Sequence, residues 1–227
     1  MLVMAHPDSS LVLSGSSVSE FKELIAGSVN FINEFGGTLW PRREAEFDGY
    51  NVANTGGDFI TYRTPNTAAG LLNNYIASDG SHVAAAGAIA LVFKADAVDD
   101  GRAWMGSSGN SFKCGMVNAS GNKFRFAVRN TGGGIDTVDV ACTTGAWHYA
   151  LMRWTTTHAY LSIDGGAESS VALGASGGMS NMNSRFWMLG DPGAGVRADG
   201  QFMEASFFDP ADIAAMKTFL DYTYPTI

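Results

Sequence analysis

The sequence predicts an all-β protein, a two-sheet antiparallel jelly-roll sandwich closed by a short C-terminal helix. Three observations lead there. Apolar and polar residues alternate with period two in most apolar segments, turn residues separate those segments at short intervals, and the composition is glycine-rich and charge-poor. Charged residues are 16% and hydrophobic residues 46% of the 227, with 28 glycines. Such a chain can build a core, and it lacks the high charge of a disordered segment.

In chain order, strands are predicted over Asp58 to Arg63, Ala88 to Ala95 and Phe112 to Val117. The clearest follows: in Lys123-Phe124-Arg125-Phe126-Ala127-Val128-Arg129, Phe124, Phe126 and Val128 fall on one face and the cations on the other. Asn130-Thr131-Gly132-Gly133-Gly134 ends it with turn residues. Further strands cover Asp136 to Ala141, Trp147 to Thr155, Ala159 to Ile163, Arg185 to Leu189 and Gln201 to Phe208. Asp164-Gly165 reads as a hairpin turn because glycine tolerates positive φ.

Two stretches read as helix. Ser19 to Ala26 is short. In the other, Asp209 caps, Pro210 suits the first position and Asp212 complements the helix dipole, while Ile213, Met216 and Leu220 form one apolar face. Pro225 prevents continuation. No linker or internal repeat divides the chain, so residues 1–227 read as one domain.

A formal net charge of −8 argues against nucleic acid as a general partner. No run approaches the roughly 18 apolar residues of a membrane span, and the first residues lack a basic, then apolar, secretion pattern. The expectation is therefore no membrane partner and synthesis in the cytoplasm. Cys114 and Cys142 lie far apart, each in or beside a predicted strand, and are expected as reduced, buried thiols; a disulfide between neighbouring strands is the alternative.

The order of these pieces resembles the laminin-G-like branch of the concanavalin A-like lectin/glucanase superfamily. Ser14-Gly15-Ser16-Ser17-Val18-Ser19-Glu20-Phe21 is similar to its opening strand, and Phe47-Asp48-Gly49 with Asp58-Phe59-Ile60 to its next element. Trp147-His148 followed by Leu161-Ser162-Ile163-Asp164-Gly165 resembles its "W-H…L-x-x-D-G" pair, and Phe186 to Gly190 with Gly200 to Ala205 its closing strands. The resemblance implies a sandwich with Trp147 filling the space between the sheets. The segment Leu24 to Trp40 departs from the family pattern by being longer and more apolar.

Glucanases of this superfamily need paired carboxylates about 5 Å apart for retaining hydrolysis. Glu44, Glu46 and Asp48 alternate along one segment, but that segment belongs to the edge element, so a solvated face is expected. Gly174-Ala175-Ser176-Gly177-Gly178 fits a nucleophile-elbow pattern without the strand and helix that give the pattern meaning. His148 and His158 flank one hairpin near Asp164, with no nucleophile specified for a relay. Asp96, Asp99 and Asp100 in one loop, and Asp191 and Asp199 in another, are the candidate calcium ligands, with ordinary solvated turns the favoured alternative; calcium is the one cofactor considered.

Sugar binding calls for an exposed ring with polar groups beside it, for which Tyr62 and Trp104 are candidates, with Asn110 and Asp191 as hydrogen-bonding neighbours; core packing is the favoured alternative for each ring. Lys123, Arg125 and Arg129 form a basic stripe suited to an anionic polymer or an acidic partner. Phe31, Phe35, Leu39 and Trp40 carry more apolar weight than a surface loop needs and are candidate contacts of a homo-oligomer. The resemblance and composition together imply a non-catalytic structural or adhesion module. The reading is a virion-associated decoration or tail accessory protein of a phage, with capsid or tail proteins as partners and a surface glycan as ligand. The alternative is a free-standing lectin module, and a glycoside hydrolase or polysaccharide lyase stands behind both.

Overall fold

The computed structural model describes the backbone of the strands between residues 3 and 63, and then residues 86–98, 104–107, 112–174, 186–188, 190–191 and 196–224. Side chains are described within 86–98, 104–106, 112–174, 198–201, 203–206 and 208–224. In the first third of the chain lie β1 (Val3–Ala5), β2 (Leu11–Ser14), β3 (Ser17–Phe21), β4 (Phe31–Asn33), β5 (Arg42–Phe47), β6 (Tyr50–Asn54) and β7 (Tyr62–Arg63). Next come β8 (Gly87–Ala95), β9 (Met105–Ser107), β10 (Phe112–Asn118), β11 (Asn122–Arg129), β12 (Ile135–Ala141), β13 (Trp147–Trp154), β14 (His158–Ile163) and β15 (Ser169–Ala172). The chain closes with β16 (Phe186–Met188), β17 (Gly190–Asp191), β18 (Val196–Arg197), β19 (Gly200–Phe208), a 3-10 turn (Pro210–Asp212) and α1 (Ile213–Thr223).

The strands form two antiparallel sheets. The back sheet runs β15-β14-β13-β8-β19, and β1 and β6 share the far edge of β19. The front sheet runs β12-β11-β10-β9-β16-β7-β4-β3-β2. β5 links them, pairing along β6 and meeting β3 at Ser17 and Arg42. The jelly-roll sandwich predicted from period-two alternation is the fold observed.

Alternation explains the core. Ile89, Leu91 and Phe93 of β8, Ala150, Met152 and Trp154 of β13, and Ala159, Leu161 and Ile163 of β14 face Phe112, Cys114 and Met116 of β10 and Phe124, Phe126 and Val128 of β11. Phe93 is the hub, 4.8 Å from Phe124 and 5.3 Å from Trp104 between ring centroids. Gly87 stands opposite Trp154, whose indole occupies the space where a side chain at Gly87 would go.

The other face of β8 is covered as well. Ala88, Ala90 and Val92 pack with Tyr149, Leu151, Met203, Phe208 and the helix residues Met216, Leu220 and Tyr224. Trp147 is half-buried against this second cluster. The expectation that it fills the space between the sheets is corrected: β13 turns its even-numbered residues inward, so among the described side chains the inter-sheet tryptophans are Trp154 and Trp104.

The helix begins as its sequence suggests, with the Asp209 carboxylate accepting from Ala211 N–H at 2.9 Å, but its first turn is 3-10 and the α-helix starts at Ile213. It ends at Thr223, and Tyr224 before Pro225 has left the helical region (φ −125°, ψ 62°), since proline disfavours α geometry in the residue before it. The second predicted helix is overturned in part. Ser19, Glu20 and Phe21 lie in β3, where pairing with β2 and β4 outweighs a weak local preference; residues 22–26 are outside the described set. Of the predicted strand from Asp58, only Tyr62 and Arg63 are described.

Buried polar pairs fix the helix on the sheet. A register shift between Phe202 and Glu204 places Glu204, fully buried, against the helix side. Its carboxylate accepts from Ser206 Oγ at 2.8 Å and from the Tyr224 hydroxyl at 2.7 Å. Tyr149 donates to Asp221 Oδ1 at 2.5 Å, and Lys217 donates to Asp221 Oδ2 at 2.6 Å. Gly165, at φ +65°, leaves room for the Tyr149 hydroxyl and Lys217 above the Asp164 turn.

Two outcomes follow. Tyr224→Phe leaves a buried carboxylate short of one donor, and the urea midpoint should fall by the equivalent of about 1–3 kcal/mol; an unchanged midpoint would show that the contact does not hold the helix. Burial, then the Asp221 hydrogen bond, raises the Tyr149 pKa above the ordinary phenol range. A raised acid favours its protonated form in the folded state, so this stability is complete below a pH of about 10 and is lost as the pH rises further. The thermal midpoint should therefore fall more steeply above that pH in the wild type than in Tyr149→Phe, and parallel curves would contradict the assignment.

Candidate functional site

The outer face of β10, β11 and β12 is built by the residues that alternation turns away from the core. Register places Lys113 beside Ala127 and Thr137, Gly115 beside Arg125 and Asp139, and Val117 beside Lys123 and Ala141. Arg129 stands opposite Ile135, which is 55% exposed. Lys113, Gly115, Val117, Arg125, Ala127, Ile135 and Thr137 line a cleft of about 200 Å³ on this face. Its depth comes from the small residues at the central positions, glycine at 115 and alanine at 127.

The cleft is cationic. Arg125 donates through Nε and Nη2 to the two Asp139 oxygens at 2.7 and 2.8 Å, a forked pair that fixes the guanidinium across the strands. The Arg125 hydrogen bond holds the Asp139 carboxyl below the usual carboxylate range, with Lys123 adding to the same effect. Arg129 Nε is buried and has no hydrogen-bond partner among the described residues. The basic stripe expected from sequence is thus assembled on one face, while Lys113, Asp139 and the small floor residues are additions that β11 alone did not announce.

At the hairpin below, a second polar array ties loops together. Nδ1 of His148 lies 2.7 Å from Asp164 Oδ2, and Nε2 lies 2.9 Å from Thr143 Oγ1. Asp164 Oδ1 also accepts the Tyr149 N–H at 3.0 Å, which explains why a non-glycine residue adopts φ +51° there. The order Thr143–His148–Asp164 matches that of a nucleophilic relay, and Thr143 fills the position for which sequence offered no nucleophile. None of the three lines the cleft; together they anchor the loop between β12 and β13 to the turn after β14.

The remaining candidates separate. Trp104 is 1% exposed and packed on Phe93, so it offers no face to a sugar: core packing, the reading favoured for it, is what the structure shows, and its candidacy as a sugar platform is corrected. Tyr62 pairs with Met188 and Asn33, Asp191 with Val196, and Phe31 with Phe21, all described as backbone only. Phe31–Asn33 forms an interior strand of the front sheet between β3 and β7. Asn110, Phe35, Leu39, Trp40, Asp99 and Asp100 lie outside the described residues. Asp96 is exposed, with its N–H donating to Asp199 O at 2.9 Å, and no group of three metal-ligating side chains gathers among the described residues.

Glu44 and Glu46 lie in β5, whose register shifts between Ala45 and Phe47, so the regular alternation expected of them is interrupted. Cys114 and Cys142 are free and buried, and burial pushes both thiols up to about 12, as the reduced reading anticipated. No helix among the described residues is long and apolar enough to cross a membrane.

Comparison with known proteins places this geometry. Domain 4 of AbnA, a GH43 extracellular arabinanase from Geobacillus stearothermophilus, in complex with arabinotriose, is similar at a TM-score of 0.61 and 14% identity, over 95% of this chain and 97% of that one. The binding domain of Paraclostridial Mosquitocidal Protein 1 is similar at a TM-score of 0.65 and 10% identity, over 97% of this chain and 52% of that one. A GH54 α-L-arabinofuranosidase is similar at 0.62 and 11%, over 92% of this chain and 51% of that one. The chain thus spans about half the length of the last two, and at these identities the likeness is one of fold. No curated protein matches the chain. The family model described as Concanavalin A-like lectin/glucanases superfamily, of laminin-G type, matches residues 70–212. With more than half of its length so matched, the chain belongs to the concanavalin A-like lectin/glucanase superfamily.

Proposed function

We propose that the chain is a non-catalytic carbohydrate-binding module that takes its glycan in the cleft on the outer face of β10–β12. The observation that carries this reading is the cleft itself. It is a concave surface of about 200 Å³ with a small-residue floor and polar side chains converging from three strands. Membership of a lectin and glucanase superfamily supports it, since fold analogy raises the prior for sugar binding while the site must supply the chemistry. The near full-length likeness to a domain determined with arabinotriose supports it as well.

Sheet faces suit this task. Neighbouring strands lie about 4.8 Å apart and alternate residues about 7 Å apart, so a rigid grid of side chains is presented without loop ordering. The virion setting expected from composition and family analogy gains no support from the fold or its relatives.

Ala127→Trp tests the reading. The substitution fills the floor of the cleft from its outer side, so polysaccharide retention in affinity gel electrophoresis should be lost while the thermal midpoint stays near the wild-type value. Retention unchanged in a folded Ala127→Trp protein would move the binding surface elsewhere and overturn the reading.

A further inference from the structure

We infer that the ligand of this cleft is an anionic polysaccharide, one bearing sulfate or carboxylate groups, and that Arg129 and Lys123, which lie outside the lining but flank it opposite Ile135 and Val117, are the cations that meet it. The inference rests on the binding reading above and adds the chemical class. Four cations, Lys113, Lys123, Arg125 and Arg129, stand on the outer face of β10 and β11, and Asp139 is the carboxylate among them. This face is positive in a chain whose formal net charge is −8. A local field opposite to the global one concentrates an anion at that face and repels it elsewhere.

The roles of the cations differ. Arg125 is held by both Asp139 oxygens and acts as a fixed wall of the cleft. Arg129 has its Nε buried and unpartnered among the described residues. A guanidinium offers an oxyanion parallel N–H donors in forked geometry, and Arg129 is the arginine of this face that is not forked to a carboxylate among the described residues. Lys123, Arg125 and Arg129 lie on one strand face at intervals of two and four residues, which spreads the charge over about 20 Å. That spread fits a repeating polymer better than a single small anion.

What lines the cleft also argues against a neutral sugar. Neutral pyranoses are gripped by stacking on aromatic rings, and the lining residues Lys113, Gly115, Val117, Arg125, Ala127, Ile135 and Thr137 include no ring. Ile135 supplies an apolar rim, and charge supplies the rest. A nucleic acid would also present repeating anions, but its single strands are bound by pairing basic grooves with aromatic stacking platforms, which this cleft lacks.

The experiment titrates the full-length chain with dextran sulfate, polygalacturonate, unmodified dextran and a single-stranded DNA oligonucleotide, each at low and at physiological salt. Dextran sulfate or polygalacturonate should bind, more weakly at the higher salt, and dextran and DNA should not. Arg129→Ala should weaken binding about tenfold, the loss expected for one charge-assisted hydrogen bond. Lys123→Ala should weaken it further in the double variant, and Arg129→Lys, which keeps the charge and loses the fork, should fall between. Circular dichroism of each variant establishes that the fold is retained. Dextran binding that matches dextran sulfate and ignores both substitutions would overturn the charge inference and leave the carbohydrate-binding reading standing. Equal binding of the oligonucleotide would overturn the polysaccharide assignment. Retention of no polysaccharide would overturn both.

Discussion

Strand β8 is buried on both faces, and this constraint organises the rest of the molecule. Its odd-numbered residues, Ile89, Leu91 and Phe93, need a second sheet over them; its even-numbered residues, Ala88, Ala90 and Val92, need a cover on the opposite side. The front sheet answers the first need and α1 the second. Small side chains on the helix side let the helix lie close, while the large ones between the sheets set the thickness of the sandwich. Because β8 sits between β13 and β19, whatever fixes it also fixes the two strands that carry the helix contacts.

The layers divide the polar work unevenly. On the helix side, Glu204 is satisfied by Ser206 and Tyr224, and Asp221 by Tyr149 and Lys217, so these two groups spend their charges on holding structure. The His148 array does the same for two loops. On the outer face of β10–β12, Arg125 and Asp139 form such a fork. Lys123 and Arg129 stand on the same face of a rigid sheet. That contrast, closed networks behind and an open cationic cleft in front, is the physical basis of the functional assignment.

Elements whose signal is local were legible in the sequence. β11 is read directly from its alternation, the turn at Asp164-Gly165 from its residue pair, and the start of the helix from Asp209 and Pro210. Features that depend on register were not. Trp104 lies near polar loop residues in sequence yet packs in the core, because exposure follows from what the opposite sheet covers and not from sequence neighbours. The parity of β13, which sends His148 inward and Trp147 toward the helix, is a one-residue choice that the apolar run around it leaves open. The contact of Glu204 with Tyr224 needs a register shift at Met203 before the carboxylate faces the helix. The cations of the cleft were visible as a stripe on one strand. Its depth, set by Gly115 and Ala127, and the fork to Asp139 arise only once three strands are aligned.

The most direct measurement is a backbone amide chemical-shift titration of the full chain with a sulfated oligosaccharide. The account predicts that saturable shifts concentrate on β10, β11 and β12, with Lys113, Arg125, Ala127, Arg129, Ile135 and Thr137 moving together while β13, β14 and α1 stay still. Saturable shifts confined to the back sheet or to α1 would contradict it.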